Sequence, residues 1–547
     1  MAKGIDLGTS NSCIATLDVN GNPKIIENLN DASDTLASAI YFEGPDADPI
    51  VGNCAKEYVE TDGANVVQFF KREIGKEDQF PPHTIFSKEY TPLDLSAIVL
   101  KRLKEMAEEQ GEEVNDVVIT CPAYFGPKER EITKKAGEIA GLNVLDLINE
   151  PTAAALSYCA REFQEEKTIL VYDLGGGTFD VTIMKMFMDT NENGDDIQRV
   201  KIIATGGDDL LGGKDWDDRL YKKIRNKVAQ ENGLGESELD VDTRQTIYSK
   251  VETTKHKLSH VPSATVKVSV DGQMTKVDIT REEFEDLTKD LVDKTMTYVD
   301  ETLKNASQKT GESIHIDTVL LVGGSTFMPM IYEAVKSRFG DIVRRENPNK
   351  AVAYGAAIYS NMLVDIIEEE EDNIHKDNNS FVPSYRKFVI EDVASRSFGP
   401  GILYNNDKDY LIDNLYKEGT PLDKVVKRTY YTVSDYQTSI LFRVFENLSQ
   451  EDRCVPCLTE QGDPQETDPK YAVKYLGELE LPLSGHTKRG APIDVEFTVK
   501  NIGIVIKATD PDTGNSKEVT IRYEGGLTEE EFEQKKEEMK RVTPVSR

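Results

Sequence analysis

The residues most able to do chemistry fall in a pattern that occurs twice. "GIDLGTSNSCIATL" opens at Gly4, and "VYDLGGGTFDVTIM" runs from Val171 to Met184. In each, an apolar run ends in aspartate (Asp6, Asp173), passes through small and hydroxyl residues, and resumes as an alternating apolar run. That predicts a strand, a tight turn and a second strand. Glycine lets backbone N–H groups come close to an anion, threonine or serine adds a donor, and an aspartate at the strand end can hold the water shell of Mg²⁺. Gly8, Thr9, Ser10 and Asn11 supply the first turn, and Gly175, Gly176, Gly177 and Thr178 the second. Either copy alone reads as an ordinary hairpin. A third small-residue turn, Gly323, Gly324 and Ser325 in "VLLVGGSTFMPM", also follows a buried strand and leads into a helix. Three such turns could converge on one nucleotide between two lobes, two gripping its phosphates and one lying under the sugar and base, which would account for the repeat.

Elements able to hold such turns surround them. Up to about residue 365, strand-like runs alternate with amphipathic helices, as in α/β domains. "TPLDLSAIVLKRLKEMAEEQG" puts Leu95, Ile98, Val99, Leu103 and Met106 on one helical face and Gly111 at its end. "VNDVVITCPAYF" reads as a buried strand and loop, "GPKEREITKKAGEIAG" as a helix stopped by Gly141, "LNVLDLI" as a strand, and Pro151 opens the helix "PTAAALSY". The acidic stretch "DIIEEEEDNIHKDNNS" cannot bury a core and reads as a linker or insert. Beyond it, "TSILFRVFEN", "YLGELELPL", "IDVEFTVKNIGIVIKATD" and "KEVTIRY" alternate with period two, which predicts an antiparallel β domain. "GLTEEEFEQKKEEMKRVTPVSR" has Thr528 and Glu531 in capping-box spacing and predicts one charged helix stopping near Pro544.

A chain of 547 residues exceeds what one core organises, so two or more domains are expected. Charged residues make up 30% and the formal net charge is −33, which argues against nucleic acid or an anionic membrane as the main partner. No apolar run approaches the ~18 residues of a membrane span. A strand starting at Lys3 leaves no room for a signal peptide, so the expected location is cytoplasmic. Six cysteines in this length do not make a disulfide framework. Only Cys454 and Cys457 have metal or redox spacing, and with no second pair they read as incidental. "MDTNENGDDIQR" is loosely calcium-like but lacks the spacing of a calcium loop, and reads as a long turn.

Taken in order, "GIDLGTSNSCIATL", "VITCPAYF", "AGLNVLDLINEPTAAALSY", "VYDLGGGTFDVTI", "LGGKDWDDRL", "LVGGSTFMPMI" and "NPNKAVAYGAA" resemble the nucleotide-binding domain of the seventy-kilodalton heat-shock (DnaK-like) chaperones, a branch of the actin and sugar-kinase fold. The later alternating segments are similar to that family's peptide-binding β-sandwich. The resemblance implies an actin-like α/β ATPase of two lobes at 1–364, an acidic insert and linker at 365–392, an all-β sandwich at 393–525, and at 526–547 a short helix where the family has a long helical lid. It also implies ATP or ADP, Mg²⁺ and K⁺ as cofactors, and unfolded polypeptides, a J-domain cochaperone and a nucleotide-exchange factor as partners.

By the same resemblance, Asp6 and Asp173 hold Mg²⁺ through water, while Lys71 reaches the γ-phosphate. Glu150 and Asp180 orient the attacking water or its metal, and Gly206 and Gly207 belong to the nucleotide site. Glu252, Lys255 and Ser259 match the family's ribose contacts. Pro122 and Arg130 match its switch proline and arginine relay, and Asp392 its linker aspartate, although Phe388, Val389, Ile390 and Glu391 replace the usual leucines. Val433 and Ile440 fall at the peptide arch and pocket. At the base site the family has two arginines where this chain has Phe327 and His256, and Asn349 stands for the usual aspartate. An aromatic ring and an imidazole can stack on a purine but lack guanidinium forks. The expected function is therefore an ATP-driven chaperone. A lidless holdase or regulatory binder and a metabolite kinase remain as alternatives, with a filament-forming actin relative behind them.

Overall fold

The computed structural model describes residues 1–77, 79–162, 165–190, 194, 196–372, 388–404, 409–447, 473–521 and 528–546. Cys454 and Cys457 lie outside them. The chain forms two compact units, one of Met1–Tyr124, Thr133–Val389 and Glu529–Arg547, the other of Phe125–Ile132 and Ile390–Thr528.

The first unit is built on two sheets with one plan. In the first sheet the order is Asn143–Asn149, Asp116–Cys121, Lys3–Asp6, Asn11–Leu17, Pro23–Ile25, with Leu36–Ala37 pairing to the fourth. In the second it is Val343–Arg344, Thr318–Val322, Lys167–Leu174, Phe179–Thr190, Asp196–Asp208, Phe388–Glu391. Each has an antiparallel hairpin carrying one copy of the repeated motif, a third antiparallel strand outside it, and parallel strands on the other side. The parallel strands "DVVITC" and "TVLLV" are apolar and almost wholly buried, as a sheet covered on both faces requires.

Helix Ala351–Asp372 lies on the first sheet and crosses helix Glu150–Glu162, which also touches the second. The crossing depends on small residues: a Cβ on Gly355 would stand 1.7 Å from the carbonyl oxygen of Ala153. Helix Pro92–Glu108 begins with a reciprocal cap in which Thr91 Oγ1 accepts from Asp94 N–H while Asp94 Oδ2 accepts from Thr91 N–H at 2.9 Å.

Two expectations shift. The helix from Ala351 runs on through Asp372, so the first part of the acidic stretch is helical, continuing a helix already nucleated by its buried apolar face. "MDTNENGDDIQR" is not one long turn: Phe179–Thr190 and Asp196–Asp208 pair as far as Thr190 with Asp196, so most of it extends the hairpin.

The second unit holds two four-stranded antiparallel sheets. One runs Asp409–Ile412, Ser397–Tyr404, Gln437–Asn447, Val473–Thr487; the other Val426–Tyr431, Pro492–Val499, Ile504–Thr509, Ser516–Ile521. Alternate residues Phe442 and Val444, Leu479 and Leu481, Ile493, Val495 and Phe497 point into one shared core, so the period-two pattern marks the inner faces of a sandwich.

Helix Glu529–Arg541 belongs to the first unit, with Phe532 and Met539 buried. The segment after it pairs as an extra parallel bridge, Ile50 with Val545, in which Val51 N–H donates to Val545 O at 2.8 Å and Val545 N–H donates to Pro49 O at 3.0 Å. Ser546 Oγ donates to Val51 O at 2.8 Å, and Lys101 Nζ donates to Met539 O at 2.6 Å. Among the described residues no helix is long and apolar enough to cross a membrane.

Candidate functional site

The three small-residue turns meet. A Cβ on Gly176 would lie 2.1 Å from Ser10 Oγ, so the first and second turns approach as closely as backbone allows. Ser325 Oγ donates to Gly175 O at 2.8 Å, which ties the third turn to the second. Helix Gly213–Glu231 starts beside them, its Gly213 and Lys214 N–H groups donating to Gly175 O at 3.0 Å and Gly176 O at 2.8 Å. The turns enclose a cavity of about 400 Å³ lined by Gly8, Thr9, Ser10, Asn11, Gly175, Gly176, Thr178, Gly323, Gly324 and Ser325. That volume is within the ~300–1,000 Å³ usual for small-ligand pockets.

At the phosphate end the charged side chains Asp6, Lys71, Glu150 and Asp173 also line it. Asp6 ends the first motif strand, where Thr120 Oγ1 donates to its Oδ1 at 3.2 Å. Asp173 sits at the matching place in the second copy and pairs with Asp180 across the hairpin. Glu150 opens helix Glu150–Glu162, where the helix dipole favours a carboxylate. Lys71 is carried by the short helix Phe70–Glu73, anchored by buried Phe70, and donates to Glu150 Oε1 at 2.6 Å. Only 3% of its side chain is exposed.

Burial sets the electrostatics. It pushes Asp6 up to about 7, with the Glu150 charge adding to it and Lys71 opposing. It likewise pushes Asp180 up to about 8, again helped by Glu150, and Asp173 well above the usual carboxylate range. Burial acts to lower the pKa of Lys71, but Glu150 and Asp6 outweigh it and leave the ammonium raised. Asp173 Oδ2 and Asp180 Oδ1 are buried with no hydrogen-bond partner. Such a group is costly unless a cation or its water satisfies it, so these residues fit Mg²⁺. Among the described residues no three His, Cys, Asp or Glu side chains converge as a direct metal-ligand set.

At the other end, Glu252, Lys255, His256 and Ser259 project from one face of helix Val241–His260 and line the same cavity, joined by Phe327 and Asn349. Glu252 pairs with Lys56 at 2.8 Å, and Lys255 with Asp217 at 2.7 Å. Burial lowers the pKa of His256.

Not every expected residue arrives. Gly177, Asp180, Gly206 and Gly207 are absent from the lining. Gly177 stands against Thr9 and Gly212. Gly206 and Gly207 lie inside strand Asp196–Asp208, where a Cβ on Gly206 would meet Thr302 Oγ1 at 2.2 Å and one on Gly207 would meet Phe179 O at 2.1 Å. Those two glycines permit the close packing of this strand against Thr302 and Phe179. Asp180 sits behind the lining and acts on it through charge.

The sequence reading also missed cavity residues. Thr35, His260, Pro348 and Val352 contribute to the wall. His260 was available from helical period, one turn beyond His256. Thr35 comes in only because Leu36–Ala37 pairs with Asn11–Ser12, a contact no local pattern announces.

Elsewhere, Pro122 is buried just after strand Asp116–Cys121. In the second unit Arg130 Nη1 donates to Asn501 Oδ1 at 2.6 Å, and Asp392 O accepts from Leu422 N–H at 2.9 Å. Val433 is 37% exposed, while Ile440 is half-buried against the sandwich core.

A unit with two sheets of one plan, each contributing a glycine turn and an acidic strand end to a single cleft, followed by a β-sandwich, defines a class of phosphate-binding α/β protein with an appended β domain. The chain matches the Hsp70 protein family over residues 2–544, and it belongs to that family. Members of the family are ATPases that bind ATP or ADP with Mg²⁺ and serve as ATP-dependent chaperones, working with unfolded clients and cochaperones.

Proposed function

We propose that this chain hydrolyses ATP in the cleft between its two motif turns and uses that cycle to bind and release apolar segments of unfolded polypeptides. The observation that supports this most is the convergence of three backbone-rich turns and a buried Lys71–Glu150 pair on one cavity. Phosphoryl transfer asks the protein mainly for positioning and charge stabilisation. Backbone N–H groups and hydroxyls of Thr9, Ser10 and Thr178 orient the β- and γ-phosphates. The Lys71 ammonium offsets negative charge at the γ-phosphate, and Glu150 orients the attacking water and accepts its proton, with Asp180 reinforcing the local field. Asp6 and Asp173 would hold Mg²⁺ through water, and that ion, when bound, neutralises charge on the phosphate oxygens. Glu252, Lys255 and Ser259 are assigned to the ribose. Pro122, Arg130 and Asp392 are assigned to communication with the β-sandwich, where Val433 and Ile440 are the candidate client contacts. The extra sandwich has no role in a metabolite kinase, which places that alternative second.

The test is a fluorescent extended apolar peptide titrated with the full chain in Mg²⁺ and K⁺. Peptide held with ADP and released faster with ATP is the expected result. Peptide binding indifferent to nucleotide would leave the chain a regulatory binder instead.

A further inference from the structure

Beyond the phosphate end, the cavity wall carries the phenyl ring of Phe327 among polar side chains that include Glu252, His256 and Asn349. Phe327 closes the short helix Gly324–Phe327, is 41% exposed and lines the cavity. Its ring is not loose. The Arg345 guanidinium lies 5.6 Å from the Phe327 ring centroid and 5.1 Å from that of Tyr332, a cation shared by two aromatic rings. Arg345 Nη1 also donates to Thr326 O at 3.4 Å, which fixes the backbone next to Phe327. Gly323 N–H donates to Pro348 O at 2.9 Å, so the turn bearing Phe327 and the loop bearing Pro348 and Asn349 move as one wall. Helix Val241–His260 supplies His256 to the same cavity, and burial pushes its pKa below the usual histidine value, leaving an uncharged ring at pH 7.

We infer that Phe327 is the base-stacking wall of this cavity and that Arg345 is the positioning residue which holds its ring. The inference rests on the nucleotide reading above. Stacking is sequence-tolerant because every base has a π face, so what the Phe327 ring contributes is shared by both purines. Arg345 works through Phe327, since it is absent from the cavity lining itself.

The experiment is equilibrium binding of ATP, GTP and inorganic tripolyphosphate, each with Mg²⁺, to the full chain and to Phe327→Ala, Arg345→Ala, Arg345→Lys and the Phe327→Ala/Arg345→Ala double variant. An affinity loss of about tenfold for both nucleotides is expected in Phe327→Ala, roughly what one stacked base contributes. Arg345→Ala should lose severalfold, Arg345→Lys should recover part of it, and the double variant should be no weaker than Phe327→Ala alone. Tripolyphosphate, which has no base, should bind all variants alike. Additive losses in the double variant, equal losses for tripolyphosphate, or a Phe327→Ala loss confined to one of the two nucleotides would each overturn the inference. Failure of the parent chain to bind any of the three ligands would instead overturn the nucleotide reading on which it rests.

Discussion

Lys71 meets Glu150 at 2.6 Å where water barely reaches, so removing Lys71 leaves the Glu150 carboxylate buried without that cation. Breaking such a pair costs about 3–5 kcal/mol. Lys71→Ala should therefore lower both stability and turnover, the latter by roughly 10²–10³-fold. Adding Glu150→Gln should recover stability but not turnover, a split that thermal unfolding and steady-state hydrolysis resolve. The buried carboxylates carry a second prediction. Asp6 and Asp180 are raised to about 7 and about 8, well above the ordinary aspartate range, so between that range and these values the folded state holds more protons than the unfolded one. Stability then falls as pH rises through this window. Thermal melts of the nucleotide-free protein in EDTA should show a higher Tm at pH 6.5 than at pH 8, and saturating Mg²⁺ with ADP should flatten or reverse that slope. Asp180→Asn should raise the Tm at pH 8 while lowering hydrolysis. A Tm that climbs with pH in EDTA would contradict the burial argument. At this scale the motif residues were legible because a glycine turn announces its own geometry. Arg345 was not, because its partners Phe327 and Tyr332 are set by packing and not by spacing.

At the scale of elements, close approaches decide what the sequence may hold. Gly355→Val would drive side-chain atoms into the Ala153 carbonyl at the crossing of helices Ala351–Asp372 and Glu150–Glu162. A loss of roughly 1–3 kcal/mol is expected from such overpacking, read by denaturant unfolding. Because the second helix begins with Glu150, hydrolysis should fall as well. The C-terminal segment gives a different test. Val545→Pro removes the N–H that donates to Pro49 O at 3.0 Å and leaves a buried carbonyl unpaired. Protease cleavage within 529–547 should become faster, whereas unchanged protection would mean that the bridge to Ile50 adds nothing. The charged helix and its stop near Pro544 were readable from capping residues and proline. Its docking site was not, since Ser546 and Val51 are 495 residues apart in sequence. For the sandwich, period-two alternation was enough, because one face of every strand must be apolar.

For the whole molecule, membership of the Hsp70 family and the meeting of three turns in one cleft point to the same activity, while the order of the strands explains why the motif is repeated. Each sheet contributes its own turn, and only a fold with two such sheets places both around one phosphate chain. The fold was legible to this extent from the duplicated pattern. The packing of Gly206 and Gly207 against Thr302 and Phe179 was not, since a glycine required by strand packing and one required by a ligand look alike in sequence. The most direct test is steady-state ATP hydrolysis by the full chain with Mg²⁺ and K⁺, with and without a large excess of unfolded polypeptide. Slow hydrolysis that depends on Mg²⁺ and rises severalfold with polypeptide is the predicted result. Hydrolysis absent in Mg²⁺, or present but indifferent to polypeptide at every concentration, would contradict a chaperone cycle driven from this cleft.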